Sequence, residues 1–127
     1  RQNLKLIVDG GQPVPGLTTN ATGAFGARRQ QLQYTWRSAV GVDPNGALVY
    51  VSGNNLTLAM LADALVEAGA VRGMQLDIHT NNVTFNLYQP SPQPSGVTAA
   101  KLTPDMARPP TRYLQPDQRD FIALTLK

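Results

Sequence analysis

One stretch of this chain carries the period of a helix, and the apolar runs on either side of it are short and strand-like. Between Thr57 and Ala68, Leu58, Leu61, Ala62 and Leu65 recur at i, i+3, i+4 and i+7, which draws a single apolar stripe. Thr57 can cap the amino end, Leu56 and Leu61 are spaced as a hydrophobic staple, and Gly69 suits a left-handed carboxy-terminal cap. A lone amphipathic helix must bury its stripe on something. The β-branched and aromatic runs around it predict that this is a sheet.

The first such run, Leu4 to Val8, ends at Asp9-Gly10-Gly11. No helical pattern follows these glycines, only Gln12-Pro13-Val14-Pro15-Gly16, so they predict a turn and not a phosphate loop. Residues 17–33 lack periodicity and predict a loop with one or two short extended pieces, suited to the rim of a binding cleft. Tyr34–Val42 and Ala47–Ser52 flank Asp43-Pro44-Asn45-Gly46, whose residues fit a type I turn, so residues 34–52 are expected to form a hairpin. Val71–Ile78 predicts a buried strand paired with Val83–Tyr88. Residues 89–118 hold Pro90, Pro92, Pro94, Pro104, Pro109, Pro110 and Pro116 and predict a loop, anchored by Leu102, Met106, Tyr113 and Leu114. Phe121–Leu126 predicts a last strand inside a sheet. The expected fold class is α+β: a mixed or antiparallel sheet of hairpins covered by one main helix over 57–68, with a long Pro-rich loop and a C-terminal strand.

At 127 residues there is room for one domain with a modest core. The chain opens at Arg1 and runs directly into strand-like sequence, so it is expected to be a processed or excised piece of a longer domain. Net charge is +3, yet the basic residues are scattered and Arg28-Arg29 is the only adjacent pair. That pattern lacks the clustered positive charge of a nucleic-acid footprint. No apolar run approaches the roughly 18 residues that span a bilayer, and no signal segment is visible. With no cysteine and a single histidine, neither a disulfide framework nor a metal site of cysteines or paired histidines can be built, and no cofactor is implied.

The polar interruption Met74–Phe85 is the candidate site. Alternation places Gln75, Asp77 and His79 on one face of the strand and Leu76 and Ile78 on the other, with Thr80, Asn81 and Asn82 beside them. A carboxylate can serve as base, nucleophile or hydroxyl acceptor, an imidazole can move protons near neutral pH, and amides read sugar hydroxyls. Along the hairpin, Trp36, Ser38, Val40 and Val42 share one face, and Arg37, Ala39 and Gly41 the other. That second face suits either an anionic ligand held by Arg37, or a packed helix with Arg37 paired to a core acid.

Several blocks, in order, resemble the phosphodiester glycosidase family, especially its exported actinobacterial members. They are Trp36–Val42, Gly46–Val51, Leu56–Ala62 and Gly69–Asp77, followed by Leu102-Thr103-Pro104-Asp105-Met106, Arg112-Tyr113 and Arg119-Asp120-Phe121. The family includes the enzyme that uncovers mannose 6-phosphate by removing N-acetylglucosamine from a phosphodiester. The resemblance implies the carboxy-terminal part of a larger hydrolase domain, secreted or associated with the cell envelope. Its ligand would be a carbohydrate or sugar phosphate, and a separately cleaved N-terminal part of the same domain could be a partner. Arg37 matches the arginine of the family's Arg-Ser/Thr-Ala-x-Gly strand, and Asp77 the aspartate of its Leu-Asp-Gly-Gly-Gly-Ser loop. The resemblance thus casts Asp77 and His79 as catalytic and Arg37, Ser38, Thr80, Asn81 and Asn82 as substrate-binding. Ile78-His79-Thr80-Asn81 replaces the glycines and serine, so a catalytically inactive carbohydrate-binding or envelope-scaffold domain is the alternative.

Overall fold

The computed structural model describes residues 5–125, which divide between Val83 and Thr84 into two compact units. The first holds a five-stranded antiparallel sheet and its covering helix. The second is built around a two-stranded hairpin.

In the first unit, β1 (Val8–Asp9) and β2 (Gln12–Pro13) are joined by Gly10 and Gly11, both with positive φ, as a two-residue hairpin turn requires. Leu4, the start of the predicted first strand, lies outside the described residues. The loop after β2 forms turns and then a one-turn helix, α1 (Arg28–Gln31), with no extended piece. The hairpin of β3 (Thr35–Val42) and β4 (Leu48–Leu56) follows as predicted. At its turn the Asp43 carboxylate accepts hydrogen bonds from the amides of Asn45 and Ala47, each 2.8 Å. Helix α2 (Leu58–Glu67) begins at Thr57, whose hydroxyl accepts from the Met60 amide. It ends in a Schellman motif: Gly69 has φ 94°, its amide bonds Val66 O, and the Ala70 amide bonds Leu65 O at 3.1 Å.

Strand β5 (Arg72–Ile78) enters the sheet between β1 and β3, giving the order β2-β1-β5-β3-β4. The crossover β4–α2–β5 therefore spans β3 and lays α2 over one face of the sheet. Leu58, Leu61, Ala62 and Leu65 are fully buried there, with Ile7, Val8, Leu17, Phe25, Ala39 and Ala70. Each of those three leucines contributes about 2 kcal/mol relative to exposure. The helix approaches closely because Gly41 and Gly73 stand opposite each other beneath it. A Cβ at Gly73 would overlap Leu65 Cδ2, and one at Gly41 would lie 2.6 Å from Arg72 O.

The second unit departs from expectation. Strand β6 (Asn86–Pro90) pairs with β7 (Val97–Lys101), not with β5, whose two neighbours are already β1 and β3. The Pro-rich stretch thus contains a strand: Pro92 and Pro94 sit in the connection, and Pro90 ends β6 on a two-stranded edge where a missing donor is tolerated. Beyond it, Lys101 Nζ donates to Met106 O, and a 3₁₀ turn at Arg112–Leu114 places the Tyr113 ring 4.8 Å from that of Phe121. Phe121–Thr125 forms no strand; Ile122 and Leu124 are 62% and 66% exposed, and Leu126 lies outside the described residues. Apolar composition alone did not supply a pairing partner. The α+β class stands: antiparallel hairpins with one main helix.

Candidate functional site

The geometry around Asp77 is set by a β-bulge. Ala39 pairs with Gln75, but Arg37, two residues away on β3, pairs with Ile78, three residues away on β5. Leu76 and Asp77 therefore stand opposite the single residue Ser38, and the alternation of side chains slips by one. Ser38 Oγ fastens the bulge by accepting from the Asp77 amide at 3.2 Å and donating to the Asp77 carbonyl at 3.3 Å.

This corrects the expected shared face. Gln75 points into the helix-covered side and is buried. Asp77 falls on the opposite side with Ser38, which the β3–β4 register places across from Ser52, one pair away from Val40 and Tyr50. Tyr50 responds to this setting. Burial pushes its phenol above the ordinary range and the Asp77 carboxylate pushes the same way, while the neighbouring Ser38 and Ser52 hydroxyls act against them.

His79 ends the strand in a left-handed conformation, φ 74°. Its amide donates to Trp36 O at 2.8 Å, its carbonyl accepts from the amides of Asn82 and Val83, and its Nδ1 lies 3.5 Å from Thr35 Oγ1. Asn82 closes this turn, its side-chain amide donating to Ile78 O at 3.0 Å. Thr80 and Asn81 lie exposed at the tip. His79 beside them is half-buried.

Arg37 lies on a face packed by a helix, as the second expectation has it, but its partners are neutral oxygens in place of a core acid or an anionic ligand. It is 0% exposed, on the face that packs α2, and among the described residues no carboxylate pairs with it. Its Nε donates to Leu56 O at 2.7 Å, one terminal nitrogen to the side-chain oxygens of Gln31 and Gln75, and the other to the carbonyls of Gln30, Gln31 and Gln33. Burial lowers its pKa. Ser38, also expected to bind substrate, is buried and committed to Asp77.

Tyr50, Ser52 and Thr35 were not anticipated as neighbours of this site. The first two could have been found by counting register outward from the Asp43–Gly46 turn, which sets Val40 against Tyr50 and Ser38 against Ser52. Among the described residues no group of three or more His, Cys, Asp or Glu could hold a metal ion, and no helix is long and apolar enough to cross a membrane.

No protein-family profile matches the chain, and no curated protein matches it. A solved structure is similar: the crystal structure of a hypothetical protein from Synechocystis, at 31% identity and a TM-score of 0.50 over 61% of this chain. The same stretch amounts to 15% of that much longer protein.

Proposed function

We propose that this chain is a glycosidase-like hydrolase domain of the phosphodiester glycosidase type, exported, acting on a sugar phosphodiester or a cell-envelope glycan. The observation that carries the reading is His79. In the resembled loop a glycine holds this place, two residues after the aspartate, and a left-handed backbone is what glycine supplies at least expense. The chain keeps that backbone, φ 74°, with an imidazole attached. Strained conformations that persist without glycine cluster at sites of function.

The chemistry narrows the substrate. Strands β3, β4 and β5 carry no acid besides Asp77, whereas hydrolysis of an ordinary glycoside draws on two carboxyl groups. Breaking the bond from an anomeric carbon to a phosphate oxygen releases a phosphate monoester, a far weaker base than an alkoxide. Such a leaving group needs little protonation. Asp77 can then stabilise or attack the anomeric centre while His79 handles the proton of the incoming water.

A panel of aryl glycosides and sugar phosphodiesters, offered to wild type and to Asp77→Asn, tests the reading. Turnover is expected on a phosphodiester and should fall about 10²-fold or more in the variant. Equal turnover by both proteins would remove Asp77 from the mechanism. The burial of Arg37 and the lack of a second strand acid favour one other reading, a carbohydrate-binding domain without catalysis. Glycan binding with no hydrolysis, undiminished in Asp77→Asn, would establish that reading instead.

A further inference from the structure

A buried guanidinium ordinarily requires a carboxylate, because the desolvation of the charge must be offset. Arg37 has six neutral oxygens in its place, drawn from three parts of the chain: the 30–33 segment, Leu56 at the end of β4, and Gln75 on β5. Its five N–H groups are all committed, so an anion could be bound only by displacing one of these partners.

The positions of its contacts on β5 are informative. Gln75, the residue just before the bulge, accepts from Arg37 at 3.0 Å. Ile78, just after the bulge, is the ladder partner of Arg37. The next residue of β3, Ser38, holds the Asp77 backbone between them through two hydrogen bonds. Arg37 and Ser38 thus grip the two-residue bulge from opposite faces of the sheet. Without the bulge, strict alternation would carry Asp77 onto the side of Gln75, under α2 and toward the buried cation. A carboxylate so placed would be lost to any ligand.

We propose that Arg37 is a positioning residue: its hydrogen bond to Gln75 fixes the bulge at Leu76–Asp77, and with it the outward direction of Asp77 and the turn at His79. The inference takes from the proposed function only the premise that Asp77 and His79 meet the ligand, and its test needs no turnover.

Amide hydrogen exchange of the whole chain, read by NMR, supplies the test. The probes are the Asp77 amide, bonded to Ser38 Oγ, and the His79 amide, bonded to Trp36 O; the β3–β4 ladder is the internal reference. Gln75→Leu keeps volume and removes the acceptor. It should speed exchange at Asp77 and His79 about tenfold relative to the ladder, and move the ring signals of His79, the sole histidine. Gln75→Glu, which restores an acceptor, should return both toward wild type. Should Gln75→Leu not fold, Gln75→Asn carries the same expectation, its amide being too short to reach. A uniform rise across all amides, or unchanged exchange at Asp77 and His79, would overturn the proposal. So would a shift of the Arg37 side-chain signals on adding inorganic phosphate, since that marks donors still open to an anion. None of these outcomes touches the hydrolysis experiment, and failure to find a substrate leaves these readouts intact.

Discussion

At the scale of the residue, His79 is the point where stability and use pull apart. A left-handed backbone costs an L-residue about 1 kcal/mol that glycine escapes, and here three backbone hydrogen bonds hold it in place. His79→Gly should therefore raise the unfolding free energy by about 0.5–1 kcal/mol in a urea titration, with the turn unchanged. The same variant should lose turnover or glycan affinity. A loss of stability would show instead that the imidazole's contact with Thr35 outweighs the strain. Asp77 was legible as the isolated acid of an apolar run, but its surroundings were not. No glycine or proline marks the bulge, so strict alternation was the natural reading and gave the wrong face to Asp77. The environment of Arg37 was hidden for another reason: four of its six acceptors are backbone carbonyls, which every residue possesses and no sequence pattern reveals.

At the scale of the element, what was legible was local. The Asp43–Gly46 turn fixes its hairpin within a few residues, and Thr57, the leucine stripe and Gly69 fix the ends and buried face of α2. The partner of β5 is a non-local matter. Val83–Tyr88 was nearest in sequence, but β1 and β3, from far earlier in the chain, occupy both edges of β5. The close seat of α2 also depends on long-range geometry, and it yields a sharp expectation. Gly73→Ala sets a methyl against Leu65 Cδ2 and 3.0 Å from Val40 O, so it should destabilise by about 1–3 kcal/mol, the range for overpacking a tight core. Gly53→Ala, on β4, meets only the mobile end of Leu56 at 3.1 Å and should change stability by less than about 0.5 kcal/mol. Paired urea titrations compare the two. Equal effects would mean that the helix can shift outward and that the glycine pair does not set its distance.

At the scale of the molecule, the two units rest on different physics, and acid should reveal it. The first unit is a helix on a sheet with an apolar core, and its Asp9–Arg72 ion pair is largely exposed, worth little to stability. In the second unit, Asp117 receives two hydrogen bonds from Arg112, at 2.7 and 3.1 Å, and one from the Arg119 amide. The Arg112 guanidinium foremost, then the Arg119 amide, hold the Asp117 carboxyl down at about 2. An unfolded aspartate titrates near pH ~4. Because the folded value is the lower one, the contribution of Asp117 is complete above about pH 4 and drains away as pH falls toward 2. The signals of Arg112 Nε–H and of the Tyr113 ring should therefore shift across that window, and Asp117→Asn should abolish the pH dependence by placing the acid form's loss at every pH. An unchanged acid transition in Asp117→Asn would assign the transition to another group and leave the Arg112–Asp117 pair as a surface contact without consequence.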